Sequence, residues 1–179
     1  MTRPILLLDV DGPLNPYASK ATKRPEGFHT HRMRPKGWEL GKPLRVWLNP
    51  EHGKKLKALG YEIVWATAWG KDANIWIGPH VGLPKLEYID WGPHDPDHTD
   101  RKLLWKTQQV ASYMQKHHPG VDFIWVDDEI RDVDIDYLRN YLPVHIEGFK
   151  INPTTGITDK DFADMSKWKD AREDSKYAK

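Results

Sequence analysis

Residues 5–15 read Ile5-Leu6-Leu7-Leu8-Asp9-Val10-Asp11-Gly12-Pro13-Leu14-Asn15. Four consecutive apolar residues bounded by a turn signal suit a strand buried on both faces of a parallel sheet. Asp9 and Asp11 follow where that strand ends, and Gly12-Pro13 turns the chain. Buried carboxylates are costly unless they are paired or bound to a cation. Two of them at the tip of an interior strand therefore point to a metal ion, a reaction, or both.

The rest of the chain alternates between strand-like and helix-like segments. Leu44–Leu48 is strand-like, and Pro50 to Leu59 follows as a short helix that Gly60 stops. Tyr61–Ala66 is an apolar strand ending at Thr67, residues 70–80 are helical, and Leu86–Ile89 is a further strand. Thr107 is placed to cap a helix with Val110, Ala111 and Met114 on one face. Phe123–Val126 is another buried strand, ending in Asp127-Asp128-Glu129, and Pro143–Ile146 is a shorter last one. This alternation predicts an α/β fold, a three-layer Rossmann-like sandwich around a central parallel sheet. Residues 16–43 are rich in Lys, Arg, Pro and Gly and form a loop or hairpin excursion. Residues 159–179 form a charged surface helix capped by Thr158 or Asp159, then a frayed tail. The expected organisation is one domain over 1–158 followed by that helix.

Composition narrows the function classes. The 179 residues carry 27 basic and 26 acidic side chains, a net charge of +1, so nothing in the whole-chain charge calls for nucleic acid or membrane. No cysteine is present, which excludes disulfides, zinc thiolates and thiol chemistry. No apolar run reaches membrane-spanning length, and the first residues lack the apolar core of a secretory signal. The expected location is the cytoplasm. Nine tryptophans is a high number, and any exposed ones offer faces for stacking on bases.

The polar residues at strand C-termini are Asp9 and Asp11, Thr67, and Asp127 with Asp128. Open parallel sheets bind ligands just beyond the carboxyl ends of their strands, so these residues converge on one site. Their pattern resembles the haloacid dehalogenase (HAD) superfamily. Asp9-Val10-Asp11-Gly12-Pro13-Leu14 is similar to its first motif, Asp-x-Asp-Gly-x-Leu. Thr67 matches the second, an apolar strand ending in Thr or Ser. Lys106, with Lys102 as the alternative, matches the third, and Asp127-Asp128 with Asp132 the fourth. Pro13 departs from the usual Thr or Val; it stiffens the turn but touches no expected catalytic group.

The resemblance implies a HAD-like phosphatase with minimal or no cap. Asp9 would attack phosphorus and form an aspartyl-phosphate. Asp11, pointing the same way from an extended chain, would protonate the leaving oxygen and then activate water. Asp9, the backbone carbonyl of Asp11 and Asp128 would hold Mg²⁺, with Asp127 as a further ligand or orienter. Thr67 and Lys106 would bind phosphoryl oxygens. Members that act as dehalogenases lack the second acid, so Asp11 favours phosphoryl transfer.

The spacings from Asn15 to Thr67 and from Thr67 to Lys106 leave no room for a sizeable cap. An open site suits a macromolecular substrate. The 16–43 excursion carries Lys20, Lys23, Arg24, His29, His31, Arg32, Arg34 and Lys36, which either guide a phosphate backbone or form a solvated loop. Asp9–Pro16 and Trp125–Glu129 resemble HAD domains associated with RNA repair, and more distantly the phosphatase half of polynucleotide kinase-phosphatases. That implies a terminal phosphate on RNA or DNA, 3′ in preference to 5′. The alternatives are a phosphatase of a small phosphorylated metabolite or nucleotide, and a non-catalytic phosphate-binding module.

Other clusters have plainer expectations. His94 and His98 belong to a surface loop, because Pro96 breaks any helix that would align them. His117-His118 end a helix, where cationic side chains suit the dipole. Trp65, Trp69, Trp76 and Trp105 belong to the core or the site wall, and Asp134 and Asp136 are expected in solvent.

Overall fold

The computed structural model describes residues 2–92 and 102–177. In chain order the elements are β1 (Ile5–Leu8), β2 (His29–Met33), β3 (Leu44–Leu48), α1 (Glu51–Ala58) and β4 (Glu62–Trp65). A 3₁₀ turn at Gly70–Asp72 and a π turn at Ala73–Ile77 lead into α2 (Gly78–Val81). Then come β5 (Glu87–Tyr88), α3 (Thr107–His117), β6 (Phe123–Asp127), α4 (Asp132–Tyr141), β7 (Ile146–Lys150) and α5 (Asp159–Tyr177).

Five strands form one parallel sheet in the order β5-β4-β1-β6-β7. β1 lies at its centre, all four of its residues fully buried, as its unbroken apolar run requires. Successive side chains alternate between two cores. Leu6, Leu8, Ile63, Trp65, Ile124 and Val126 face one layer, with Leu56 of α1 and Phe162 and Met165 of α5. Ile5, Leu7, Val64, Phe123 and Trp125 face the other, where Val110, Ala111 and Met114 of α3 meet Ile135 and Leu138 of α4. This is the α/β three-layer sandwich expected from the sequence. Each fully buried Leu or Ile contributes about 1.5–3 kcal/mol from removal of apolar surface. Among the described residues no helix is long and apolar enough to cross a membrane.

Several local expectations are corrected. Leu44–Leu48 is a strand but not part of the central sheet: it pairs antiparallel with β2, so the basic excursion includes a hairpin. Residues 70–80 are not one helix. Gly70 has φ +50°, and Pro79 forces a restart in the first turn of α2, so 3₁₀, π and α turns follow one another. The last strand begins at Ile146, beyond Pro143, which has no N–H to donate to a ladder. Lys106, not Thr107, is the N-cap residue of α3. Thr158 does cap α5: its hydroxyl oxygen accepts the Asp161 N–H, while its own amide and hydroxyl donate to the Asp161 carboxylate. The His94–His98 cluster lies outside the described residues.

Candidate active site

Every expected site residue except Lys106 lies at or just beyond the C-terminal end of β1, β4 or β6; Lys106 comes from the start of α3. Asp9 directly follows β1, and its backbone N–H still donates to Val126 of β6. The chain then turns at Gly12, whose φ is +91°. A Cβ there would lie 2.4 Å from Cγ of Asp128, so only glycine lets the two segments approach. The turn is closed by N–H groups of Leu14 and Asn15 donating to the carbonyl of Val10.

Lys106 is the hub. Its Nζ donates to Oδ2 of Asp9 and to Oδ2 of Asp127, each at 2.7 Å. All three side chains are buried. Burial alone would lower the ammonium pKa, but the Asp9 and Asp127 carboxylates outweigh it and raise the value. Lys102, the alternative, has its carbonyl bonded to Arg131. Asp127 is pushed up to about 7, first by burial and then by Asp9, against the pull of Lys106.

Asp11 is held differently. Its two carboxylate oxygens accept from Asn15 Nδ2 at 2.7 Å and from Trp69 Nε1 at 2.8 Å. Burial keeps its pKa above the ordinary carboxylate value despite those bonds. Asp128 accepts from the Tyr17 hydroxyl at 2.9 Å, and it too is raised by burial. Burial and Asp128 together push Tyr17 up to about 12, which keeps its phenol a donor.

Asp9, Asp127 and Asp128 offer oxygens that lie within 4.8 Å of one another. With Asp11 beside them, four carboxylates surround one ammonium, so the site lacks positive charge. An all-oxygen donor set with excess negative charge fits a hard divalent cation such as Mg²⁺. The Asp11 side chain stands outside that trio, turned to Asn15 and Trp69.

Asp9, Asp11, Lys106 and Asp128 line a cavity of about 530 Å³. Thr67 and Asp127 are fully buried and sit behind its wall. The Thr67 carbonyl accepts from Trp91 Nε1, and Ala68 reaches the cavity instead. Trp69 and Trp105 are wall residues and Trp65 is core.

The sequence assigns no role at the site to Asn15 or Tyr17, and places Trp69 in the core or the site wall without a partner. Asn15 carries a dual role, since its Oδ1 also accepts the amide of Trp47 from the hairpin. Tyr17 gave no signal, being one aromatic among many, whereas Trp69 is a wall residue as expected and only its bond to Asp11 is new. Asp134 is a correction: it is fully buried rather than in solvent. It accepts from the Leu104 and Arg131 amides, the Thr107 hydroxyl and the Arg131 guanidinium.

The model of a family described as the HAD domain in Swiss Army Knife RNA repair proteins matches residues 5–162. The chain belongs to this family. The match begins at β1 and ends in the first turn of α5, so the HAD domain includes all five strands of the sheet and every residue of the site. No curated protein matches the chain.

Proposed function

We propose that this HAD domain is a Mg²⁺-dependent phosphomonoesterase that removes a terminal phosphate from a nucleic acid, the 3′ end in preference to the 5′, in the cytoplasm. The observation that carries the reading is the juxtaposition of Asp9, held by Lys106, with Asp11, held apart by Asn15 and Trp69. One carboxylate is prepared as a nucleophile beside a cation, and the other is kept protonatable by burial.

Asp9 attacks phosphorus, forming an O–P bond as the ester bond breaks, and Asp11 gives its proton to the departing hydroxyl oxygen. Asp11, now a carboxylate, takes a proton from water as that water attacks phosphorus. The aspartyl bond then breaks, releasing inorganic phosphate and restoring Asp9. Lys106 stays charged throughout and attracts the phosphoryl oxygens, while Thr67, buried behind the wall, holds the turn by accepting the Trp69 N–H. Tyr17 fixes Asp128 and Asn15 fixes Asp11. Mg²⁺, held by Asp9, Asp127, Asp128 and the Asp11 carbonyl, would offset repulsion between the phosphate and the nucleophile when bound. The membership in a family of RNA-repair domains supports the nucleic-acid substrate.

The test is hydrolysis of an aryl phosphate by the full chain, with and without Mg²⁺. Turnover that needs the ion and falls at least about 10³-fold in Asp9→Asn is expected. Asp11→Asn should lower kcat as well. Turnover that persists undiminished in Asp9→Asn overturns the reading.

A further inference from the structure

The catalytic cavity is much larger than a phosphate group needs. Its 530 Å³ falls within the roughly 300–1,000 Å³ of sites that enclose whole small molecules. The carboxylates and Lys106 form one part of its lining. A separate wall comes from the hairpin: Pro35, Lys36, Trp38, Leu44, Arg45 and Val46. Trp38 lies on this wall with 52% of its surface exposed, a large aromatic face left to water. Arg45 is fixed over the Trp47 ring, 3.8 Å from its centroid. Its Nη1 is buried without a hydrogen-bond partner among the described residues. The Arg45 side chain also lines the cavity, so its guanidinium charge lies beside that space. The wall is also braced: the Lys36 amide donates to Asp72 Oδ2 at 2.8 Å, joining the hairpin tip to the turn after β4.

Resting on the phosphatase reading above, we propose that this wall is a subsite for the terminal nucleotide of a single-stranded nucleic acid. The base stacks on Trp38, and Arg45 and Lys36 supply counter-charge and donors to the sugar-phosphate. An indole face with two cations beside a phosphate-processing floor matches the three parts of a nucleotide. A base can lie on an aromatic platform only after leaving its own stack, which favours a frayed or single-stranded end. Stacking reads no hydrogen-bond edge, so the subsite accepts any base.

The experiment uses the full chain with Mg²⁺ and two single-stranded oligonucleotides bearing a 3′-phosphate. They are identical except that the last residue carries a base in one and is a tetrahydrofuran abasic analogue in the other. Wild type is expected to favour the base-bearing strand by about tenfold in kcat/KM, expressed in KM. Trp38→Ala should bring that ratio close to one, and Trp38→Phe should retain most of it. Arg45→Gln should raise KM on both strands. Because the ratio is read within one protein, loss of folded enzyme does not imitate the effect, and Trp38→Leu serves if the alanine variant does not fold. A wild type indifferent to the base overturns the subsite, as does a preserved ratio in Trp38→Ala. Aryl phosphate hydrolysis separates the two levels. If it persists without base preference, the subsite alone falls; if it is missing, the phosphatase reading falls with it.

Discussion

Gly12 shows how tightly individual residues are constrained around the site. Its positive φ already disfavours any side chain, and a Cβ would overlap the Asp128 carboxyl at 2.4–2.5 Å. Gly12→Ala is expected to cost about 1–3 kcal/mol of stability through backbone strain. It should also move Asp128 away from Asp9, so aryl phosphate turnover should fall by far more than the melting temperature suggests. Thermal melts beside turnover check this; an active Gly12→Ala enzyme would show that Asp128 has slack. The first motif was legible because Asp9, Asp11 and Gly12 fall within four residues and are chemically unusual at a strand tip. The Tyr17 and Trp69 bonds to Asp128 and Asp11 were not, because they depend on where the chain folds back and not on neighbours in sequence. Asp134 misled for the opposite reason: acids spaced along a helix read as a solvated face. Two of its partners, the Leu104 amide and the Thr107 hydroxyl, come from a segment that sequence cannot place beside α4.

Among the elements, α3 and α4 are joined at their N-termini by that same Asp134 carboxylate. It bonds the Thr107 hydroxyl at 2.9 Å and the Arg131 amide at 3.0 Å, inside an interface that excludes water. Lys106 is the residue before Thr107, so this junction also sets the position of the ammonium. Asp134→Ala leaves buried donors unpaired and is expected to destabilise by about 3 kcal/mol, read from urea denaturation. A loss below about 0.5 kcal/mol would show that water replaces the carboxylate. The buried strands were legible from their apolar runs, since those runs are what burial on two faces demands. The partner of Leu44–Leu48 was not. A short apolar strand pairs equally well in a parallel sheet or a hairpin, and only the excursion's own fold decides.

Across the whole molecule, His52 of α1 joins distant parts of the chain. Its ring is buried between Phe28, ahead of β2, and Phe162 of α5, at 5.3 and 5.8 Å between centroids. Burial, with Lys55, pushes its pKa down to about 4 from an ordinary 6.5. The unfolded chain therefore takes up this proton first. Stability is complete above about pH 6.5 and falls as pH drops toward 4, by about 3 kcal/mol for this group. His52→Leu should flatten the thermal-melt profile across that window, whereas profiles of equal slope would assign the acid loss elsewhere. The sandwich and its two cores were legible in the alternation of segments, but a histidine's place inside one core was not. The hairpin packs Met33, Val46 and Leu48 into one of the cores but lies outside the central sheet. Its strands pair with each other and with no strand of the central sheet, and its tip meets the rest of the fold across the Lys36–Asp72 bond. On the proposed function and subsite, the reaction and the choice of substrate rest on separately encoded pieces of chain. Mutations in residues 34–43 can redraw what the enzyme accepts while the sheet that does the chemistry goes on folding as before, which makes this segment the natural place for selectivity to evolve.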